Sequence, residues 1–177
     1  AANRFSFLID NNTMTTARQA TITGVFPVLP TPFNAAGAPD ATGLATLVRY
    51  LLRSGVDGMT FPGVASEVAT LSEAERAELT TLVIREVAGR VPVVVGVSSN
   101  DAAVTLRLAR LAAGQGAAAL MIAAPATLKT AAEQIAHFQA IAAAVPGIAL
   151  MLQNVPPPAG AGLDPGVLLE ILAAVPE

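Results

Sequence analysis

Short apolar runs alternate along the chain with longer stretches of helical spacing, and this alternation restricts the fold more than any other feature of the sequence. The runs are bounded by glycine or proline, which is typical of buried strands in a parallel sheet. Their centres are about 31 residues apart, close to the length of one strand–helix–strand unit. The five runs are Gly24–Leu29, Gly58–Phe61, Val91–Val97, Ala118–Ala123 and Ile148–Leu152.

The stretches between these runs carry explicit helix-start signals. Ser72 with Glu75 and Thr130 with Glu133 are two predicted capping boxes, in which each side chain bonds a free amide at the helix start. Strand and helix therefore alternate five times, which predicts an α/β fold with parallel strands joined by right-handed crossovers. Further helix caps are predicted at Asp40, at Asn100 or Asp101, and at Asp164.

Two α/β architectures are compatible with this alternation. A five-stranded doubly wound sheet fits 177 residues, whereas the eight units of a (β/α)8 barrel need about 250. However, the loop at 30–34, after the first run, is not glycine-rich and cannot wrap a pyrophosphate. No phosphate-binding G-x-x-x-x-G-K-[ST] sequence occurs either, so the pattern argues against a nucleotide-binding sheet.

The composition excludes several kinds of site. The chain has no cysteine, so it can form no disulfide, thiolate nucleophile or thiolate metal site. His137 is its one histidine, which rules out a multi-histidine metal centre within one chain. The net charge of −3 gives no general attraction to nucleic acid or anionic lipid, and no apolar stretch reaches the roughly 20 residues of a membrane span. We therefore expect no metal, no nucleic acid partner and no membrane partner.

The loop after the second apolar run carries the most distinctive motif. It reads Gly63-Val64-Ala65-Ser66-Glu67 and continues through Thr70-Leu71-Ser72 to Glu75-Arg76 at the start of a capped helix. Shorter motifs in the same order along the chain are Thr31-Pro32-Phe33, Gly55-Val56-Asp57-Gly58, Gly89–Val97, Pro125 and Asn154-Val155-Pro156. Together these motifs resemble the dihydrodipicolinate synthase/N-acetylneuraminate lyase family.

This resemblance implies a (β/α)8 TIM barrel with its active site at the carboxyl ends of the strands. The matching motifs run in order from Gly24 to Glu177, so the chain is expected to hold about five of the eight βα units. Residues 14–177 are then the N-terminal part of a single barrel domain. Residues 1–13 differ in character from the rest of the chain and are interpreted as a leader or an upstream remnant.

The resemblance also implies a class I mechanism, without a cofactor. In that mechanism a lysine forms a Schiff base with pyruvate or another 2-oxo acid, and the imine acts as an electron sink for aldol addition or cleavage. The family carries this lysine on the sixth strand. Lys129 is the one lysine here and lies in the loop after the fourth apolar run, so the Schiff-base lysine is not expected in this chain. The predicted enzyme class is a carbon–carbon or carbon–oxygen lyase when the protein is full length.

Five candidate site residues are implied by the same resemblance. Gln153 and Asn154 are the predicted catalytic residues, and Thr31, Ala65 and Ser66 are predicted to bind substrate. The amides of Ala65 and Ser66 and the Ser66 hydroxyl are expected to hold the substrate carboxylate. Gln153 stands where the family has a proton-relay tyrosine, and glutamine orients a carbonyl or water but has no proton to titrate.

Departures from the family pattern leave a second function open. Val64 and Ala65 replace two threonines and Gln153 replaces the tyrosine, which suggests a catalytically altered or inactive barrel that serves as a small-molecule-binding or assembly module. For the enzyme, the expected partners are a 2-oxo acid and an aldehyde. A homo-oligomer in the cytoplasm is expected in either case.

Other conspicuous side chains are interpreted as structural. His137 lies in the middle of a predicted helix and is assigned a packing or surface role. A group of charged residues near the start of another helix is interpreted as a solvated face with capping duties. This group comprises Glu73, Glu75, Arg76 and Glu78.

Overall fold

The computed structural model describes residues 22–158 and 162–175, which form a parallel sheet covered by helices. In chain order the strands are β1 (Met59–Thr60), β2 (Val93–Gly96), β3 (Ala119–Ile122) and β4 (Ala149–Leu152). The α-helices are α1 (Ala41–Arg53), α2 (Glu73–Val87), α3 (Ala102–Gly114), α4 (Ala131–Ala144) and α5 (Pro165–Ala174).

The strand order is sequential, from β1 through β4, and every pairing is parallel. In register, Val94 pairs with Ala119 and Leu120 pairs with Leu150. Sequential order is what a barrel requires, whereas a doubly wound sheet places a later strand outside the first. The predicted α/β fold, with the units of a partial TIM barrel, is therefore confirmed.

The first apolar run departs from the prediction in its extent. It lies beside β1 in parallel, but it forms only one bridge, between Val28 and Thr60. Thr60 N–H donates to the Pro27 carbonyl and Leu29 N–H donates to the Thr60 carbonyl, both at 3.0 Å. Proline has no N–H for the next position of the ladder, so regular pairing is interrupted there, and beyond it the Asp57 N–H donates to the Val25 carbonyl at 3.2 Å.

The helix caps predicted from the sequence are confirmed. Ser72 Oγ accepts the Glu75 N–H, and the Glu75 carboxylate accepts the Ser72 N–H at 2.8 Å. Thr130 and Glu133 make the same reciprocal pair at the start of α4. These caps satisfy helix amides that have no intrahelical partner, and so they fix where each helix begins after its loop.

The core lies between the sheet and the helices. All four residues of β2 are buried, whereas the residues of β4 are partly exposed. Across residues 22–158 and 162–175, no helix combines the length and the apolar character needed to cross a membrane. The largest fully buried side chains include Phe61, Phe138, Leu29, Leu44, Met59 and Leu120.

Candidate functional site

A cavity of about 540 Å³ lies at the carboxyl ends of the strands. This is the edge at which α/β proteins bind ligands, because the loops after successive parallel strands converge there. The volume is within the roughly 300–1,000 Å³ of small-molecule sites. Each of the four strands contributes to the wall through the loop after it, with Gly63, Ser98, Pro125 and Gln153 among the lining residues.

Ser66 holds the loop at 63–67 in place. Its hydroxyl is fully buried, accepts the Gly63 N–H at 2.9 Å and donates to the Leu29 carbonyl. The Ser66 N–H donates to the Gly63 carbonyl at 3.0 Å. Thr31 is also buried, and its hydroxyl donates to the Ser66 carbonyl at 2.7 Å. Thr31 and Ser66 therefore tie two neighbouring loops together, and neither N–H nor O–H of Ser66 is free for a ligand in this arrangement.

Two amides of the same loop remain available. The N–H groups of Val64 and Ala65 have no backbone partner within the residues that the structure describes. Both residues are exposed, and Val64 lines the cavity. Consecutive free amides at a tight turn attract an anion, since each N–H carries a partial positive charge. Ala65 thus keeps the donor predicted for it, with Val64 rather than Ser66 as the free neighbour.

The two predicted catalytic residues are placed differently. Gln153 donates its backbone N–H to the Ile122 carbonyl at 2.8 Å, and it lines the cavity. The Asn154 side chain accepts the Leu163 N–H at 2.9 Å and donates to the Leu163 carbonyl at 3.1 Å. Asn154 thereby pins the loop after β4 to the segment before α5. Of the five candidates, Gln153 alone lines the cavity, and the catalytic and binding roles remain predictions.

Arg76 is a cavity residue that the sequence interpretation placed wrongly. It is 7% exposed and lines the cavity, so it does not belong to a solvated helix face. Its Nη2 donates to the Gly96 carbonyl at 3.3 Å, whereas its buried Nε has no partner among the described residues. Helical spacing was the signal available in the sequence, because Leu79, Thr80 and Val83 on the same face of α2 are buried too.

Electrostatics around Arg76 are set by its burial. Loss of hydration lowers the pKa of Arg76, and the nearby charge of Glu73 opposes that shift. The Glu73 carboxylate itself bonds Arg107, which holds the pKa of Glu73 below its usual value. Arginine has so high an ordinary pKa that Arg76 remains a cation at neutral pH.

Lys129 lies outside this site. It is exposed, its Nζ donates to the Ala126 carbonyl, and it lines a separate cavity beside α4 and the loop before α5. Its position agrees with its interpretation as a loop lysine. Among residues 22–158 and 162–175, no group of three or more acidic or histidine side chains is arranged to hold a metal ion.

Comparison with known proteins identifies relatives over most of the chain. A model of the dihydrodipicolinate synthetase family matches residues 21–177. A 4-hydroxy-tetrahydrodipicolinate synthase from Bacillus subtilis (strain 168) is 37% identical over 147 residues, which are 82% of this chain and 50% of that protein. One from Stenotrophomonas maltophilia (strain R551-3) is 35% identical over 151 residues, 85% of this chain and 50% of that protein. The chain spans about half the length of these curated relatives.

Solved structures of the same family also superpose on most of this chain. A putative dihydrodipicolinate synthetase from Pseudomonas aeruginosa superposes with a TM-score of 0.82 at 33% identity, over 88% of this chain and 53% of that one. YagE, a prophage protein of the dihydrodipicolinic acid synthase family from E. coli K12 solved in complex with pyruvate, gives 0.81 at 32% identity, over 88% of this chain and 52% of that one.

Proposed function

Because the chain belongs to the dihydrodipicolinate synthetase family, we propose that the protein is an aldolase-type lyase acting on pyruvate or another 2-oxo acid. The names of its relatives support a lyase over the alternative of an inactive binding or assembly module. A relative of the same fold and 32% identity was solved in complex with pyruvate, which supports a 2-oxo acid as substrate.

The observation that carries this proposal is the loop at 63–67. Its two free amides are on Val64, which lines a cavity of small-molecule size, and on the adjacent Ala65. We assign to them the carboxylate of the 2-oxo acid, because two fixed N–H donors match two carboxylate oxygens. Thr31 and Ser66 then contribute by fixing the loop, since their hydroxyls bond its backbone. Preorganised donors need no rearrangement when the substrate arrives.

Gln153 is assigned to the substrate carbonyl or to a water beside it. Its position in the cavity wall, after β4, allows it to donate or accept a hydrogen bond. An amide has no titratable proton, so a proton relay must use the substrate, water or another residue. Asn154 supports this placement by holding the loop after β4 through Leu163.

The covalent step of the proposal is imine formation. A lysine amine attacks the carbonyl of the 2-oxo acid, the carbonyl oxygen leaves as water, and the imine then accepts electrons as a methyl proton is lost. Lys129 is outside the cavity, so we assign this role to a lysine beyond these 177 residues. An aldehyde is the proposed second substrate, and the proposed assembly is a homo-oligomer in the cytoplasm without a cofactor.

Borohydride trapping tests this function. The natural-length protein is incubated with pyruvate and sodium borohydride, and its intact mass is measured. We expect a mass increase equal to one reduced pyruvate adduct, because borohydride reduces the imine irreversibly. Succinate has no carbonyl and serves as the control that gives no adduct. Absence of an adduct with pyruvate and with every other 2-oxo acid tested would overturn the Schiff-base proposal.

Gln153→Leu tests the residue-level assignment. The exchange of pyruvate methyl protons with D2O, monitored by NMR, reports loss of the proton from the imine. We expect roughly tenfold slower exchange with trapping retained, since the variant loses a hydrogen bond made during reaction rather than in binding. Gln139→Leu makes the same change at an exposed position of α4 and should leave exchange unaltered. Equal exchange rates for both variants would remove Gln153 from the mechanism.

A further inference from the structure

Arg76 is a buried cation that the described protein does not neutralise. Its side chain is more than nine-tenths buried, and one carbonyl, that of Gly96, accepts from it. The Nε–H is left without an acceptor among the described residues. A buried charge without a partner is costly to the folded state, and an unmade hydrogen bond adds to that cost. Such a group calls for an explanation, and a bound ligand is one.

The carboxylates close to Arg76 in sequence are committed elsewhere. Glu73 makes a bidentate ion pair with Arg107, with bonds of 2.7 and 2.9 Å. Glu75 is occupied by the capping box with Ser72. No carboxylate in residues 22–158 and 162–175 lies within salt-bridge distance of Arg76. The described residues therefore place the Arg76 cation in the cavity wall with no carboxylate paired to it.

The position of Arg76 on its helix makes burial of its unpaired charge still less favourable. It is the fourth residue of α2, so its charge lies near the helix N-terminus, where the helix dipole favours negative groups. A ligand carboxylate placed there would meet the guanidinium and the positive end of the helix together. A guanidinium suits a carboxylate, because it carries five N–H donors in a fixed plane and Gly96 uses one of them.

We propose that Arg76 binds a second carboxylate of the substrate, so that the protein prefers dicarboxylic 2-oxo acids over monocarboxylic ones. This inference rests on the proposed function, which places the first carboxylate at the amides of Val64 and Ala65. Val64 and Arg76 line the same cavity, whose volume of about 540 Å³ far exceeds that of pyruvate. The two ends of a longer acid can therefore be held at two subsites of one site.

A matched ligand pair tests the preference in the natural-length protein. 2-Oxoglutarate and 2-oxopentanoate have the same five-carbon chain and differ in the distal carboxylate. By titration calorimetry we expect wild type to bind 2-oxoglutarate at least about tenfold more tightly, in line with one charge-assisted contact. Arg76→Met should abolish this ratio while binding of 2-oxopentanoate stays within about twofold. Arg85→Met, at an exposed position of the same helix, should keep the full ratio.

A thermal unfolding measurement and the variant Arg76→Lys show whether a lost preference in Arg76→Met results from misfolding. Removing a buried, unpaired charge should leave the thermal midpoint of Arg76→Met equal to or above that of wild type. Arg76→Lys retains a cation and should keep part of the preference. A wild-type ratio near one, or a ratio unchanged in Arg76→Met, would overturn the inference.

Trapping separates this result from a failure of the proposed function. If adducts form but the preference for 2-oxoglutarate is the same in wild type and Arg76→Met, the inference is refuted and the lyase proposal stands. Binding of 2-oxoglutarate that depends on Arg76, with no adduct from any 2-oxo acid, supports the carboxylate subsite and refutes the lyase.

Discussion

Polar side chains around the cavity fall into two groups. Those of the first group bond the backbone of a neighbouring loop, and those of the second have hydrogen-bonding groups without a partner in the described protein. Thr31, Ser66 and Asn154 each bond backbone groups of a neighbouring loop, so they determine where the cavity wall lies. Arg76 and Gln153 line the cavity, and the Arg76 Nε has no protein acceptor among the described residues. At the scale of single residues, binding capacity therefore resides in the second group, and the first group provides its geometry.

His137 gives a prediction about pH at the same scale. Burial lowers the pKa of His137 below its ordinary value of 6.5, and its Nε2 has no partner among the described residues. The unfolded chain therefore takes up this proton at a higher pH than the folded protein does. The contribution of neutral His137 to stability is fully present above about pH 6.5 and is lost as the pH falls from there toward the folded pKa.

Urea unfolding of the natural-length protein at several pH values between about 8 and 5 measures this effect. His137→Gln cannot titrate there, so wild type should lose more unfolding free energy than the variant as the pH falls. Hydrogen bonds lower the pKa values of Glu73, Glu75 and Glu133 below the ordinary 4.5, so these carboxylates take up protons only in more acidic solution. Parallel pH profiles for wild type and variant would contradict the prediction.

Residue roles were predictable where the partner is close in sequence. The capping boxes at Ser72 and Thr130 were predicted correctly because each side chain bonds a group three residues away. Ser66 was predicted to face a ligand, but its hydroxyl donates to Leu29, which lies 37 positions earlier. Arg76 donates to the carbonyl of Gly96, which lies 20 positions later. A single sequence does not specify such long-range partners.

At the scale of elements, Gly96 allows the loop after β1 to lie directly against the end of β2 at the cavity. A Cβ at this position would lie 1.9 Å from the Pro62 carbonyl oxygen, which belongs to the loop after β1. Backbone atoms cannot move aside as a flexible side chain can. The absence of a side chain at the end of β2 thus lets that loop close over the sheet, and Gly96 also supplies the carbonyl that accepts from Arg76.

Gly96→Ala should therefore destabilise the protein and distort the cavity. We expect a loss of about 1–3 kcal/mol in unfolding free energy, the usual cost of forcing extra atoms into a packed site. Gly114→Ala is the control, because a Cβ there meets nothing within 4 Å and Gly114 ends α3. The unfolding free energy of Gly114→Ala should equal that of wild type or exceed it by about 0.5–1 kcal/mol. Equal urea midpoints for the two variants would show that the close approach is relieved without cost.

The order and type of the elements were predictable because periodicity and caps are local signals that agree with one another. Four predicted strands contain β1 to β4, and each helix begins at a predicted cap. The extent of pairing was not predictable in the same way. The run containing Pro27 is as apolar as the others, and only its register against Thr60 reveals which missing N–H interrupts the ladder.

Across the whole molecule, burial decreases from the middle of the sheet toward β4. Every residue of β2 is buried, whereas Met151 in β4 is 38% exposed. On α5, which packs against α4 and follows β4 in the chain, Leu169 and Leu172 are 69% and 63% exposed. Among the described residues β4 pairs on one side only, with β3. An apolar surface beside an unpaired strand edge is the kind of surface that other chains or segments cover.

Residues 1–177 expressed alone should therefore self-associate. We expect sedimentation velocity to show species larger than a monomer, increasing with concentration, because exposed strand edges and apolar helix faces pair with one another. Replacing Leu169 and Leu172 together by glutamate should shift the distribution toward monomer, since charge at the surface of α5 opposes its burial. Tyr50→Glu changes an exposed aromatic residue on α1 and serves as the control that leaves association unaltered. A monodisperse monomer at all concentrations, with one cooperative unfolding transition, would show that the surface of β4 and α5 needs no cover.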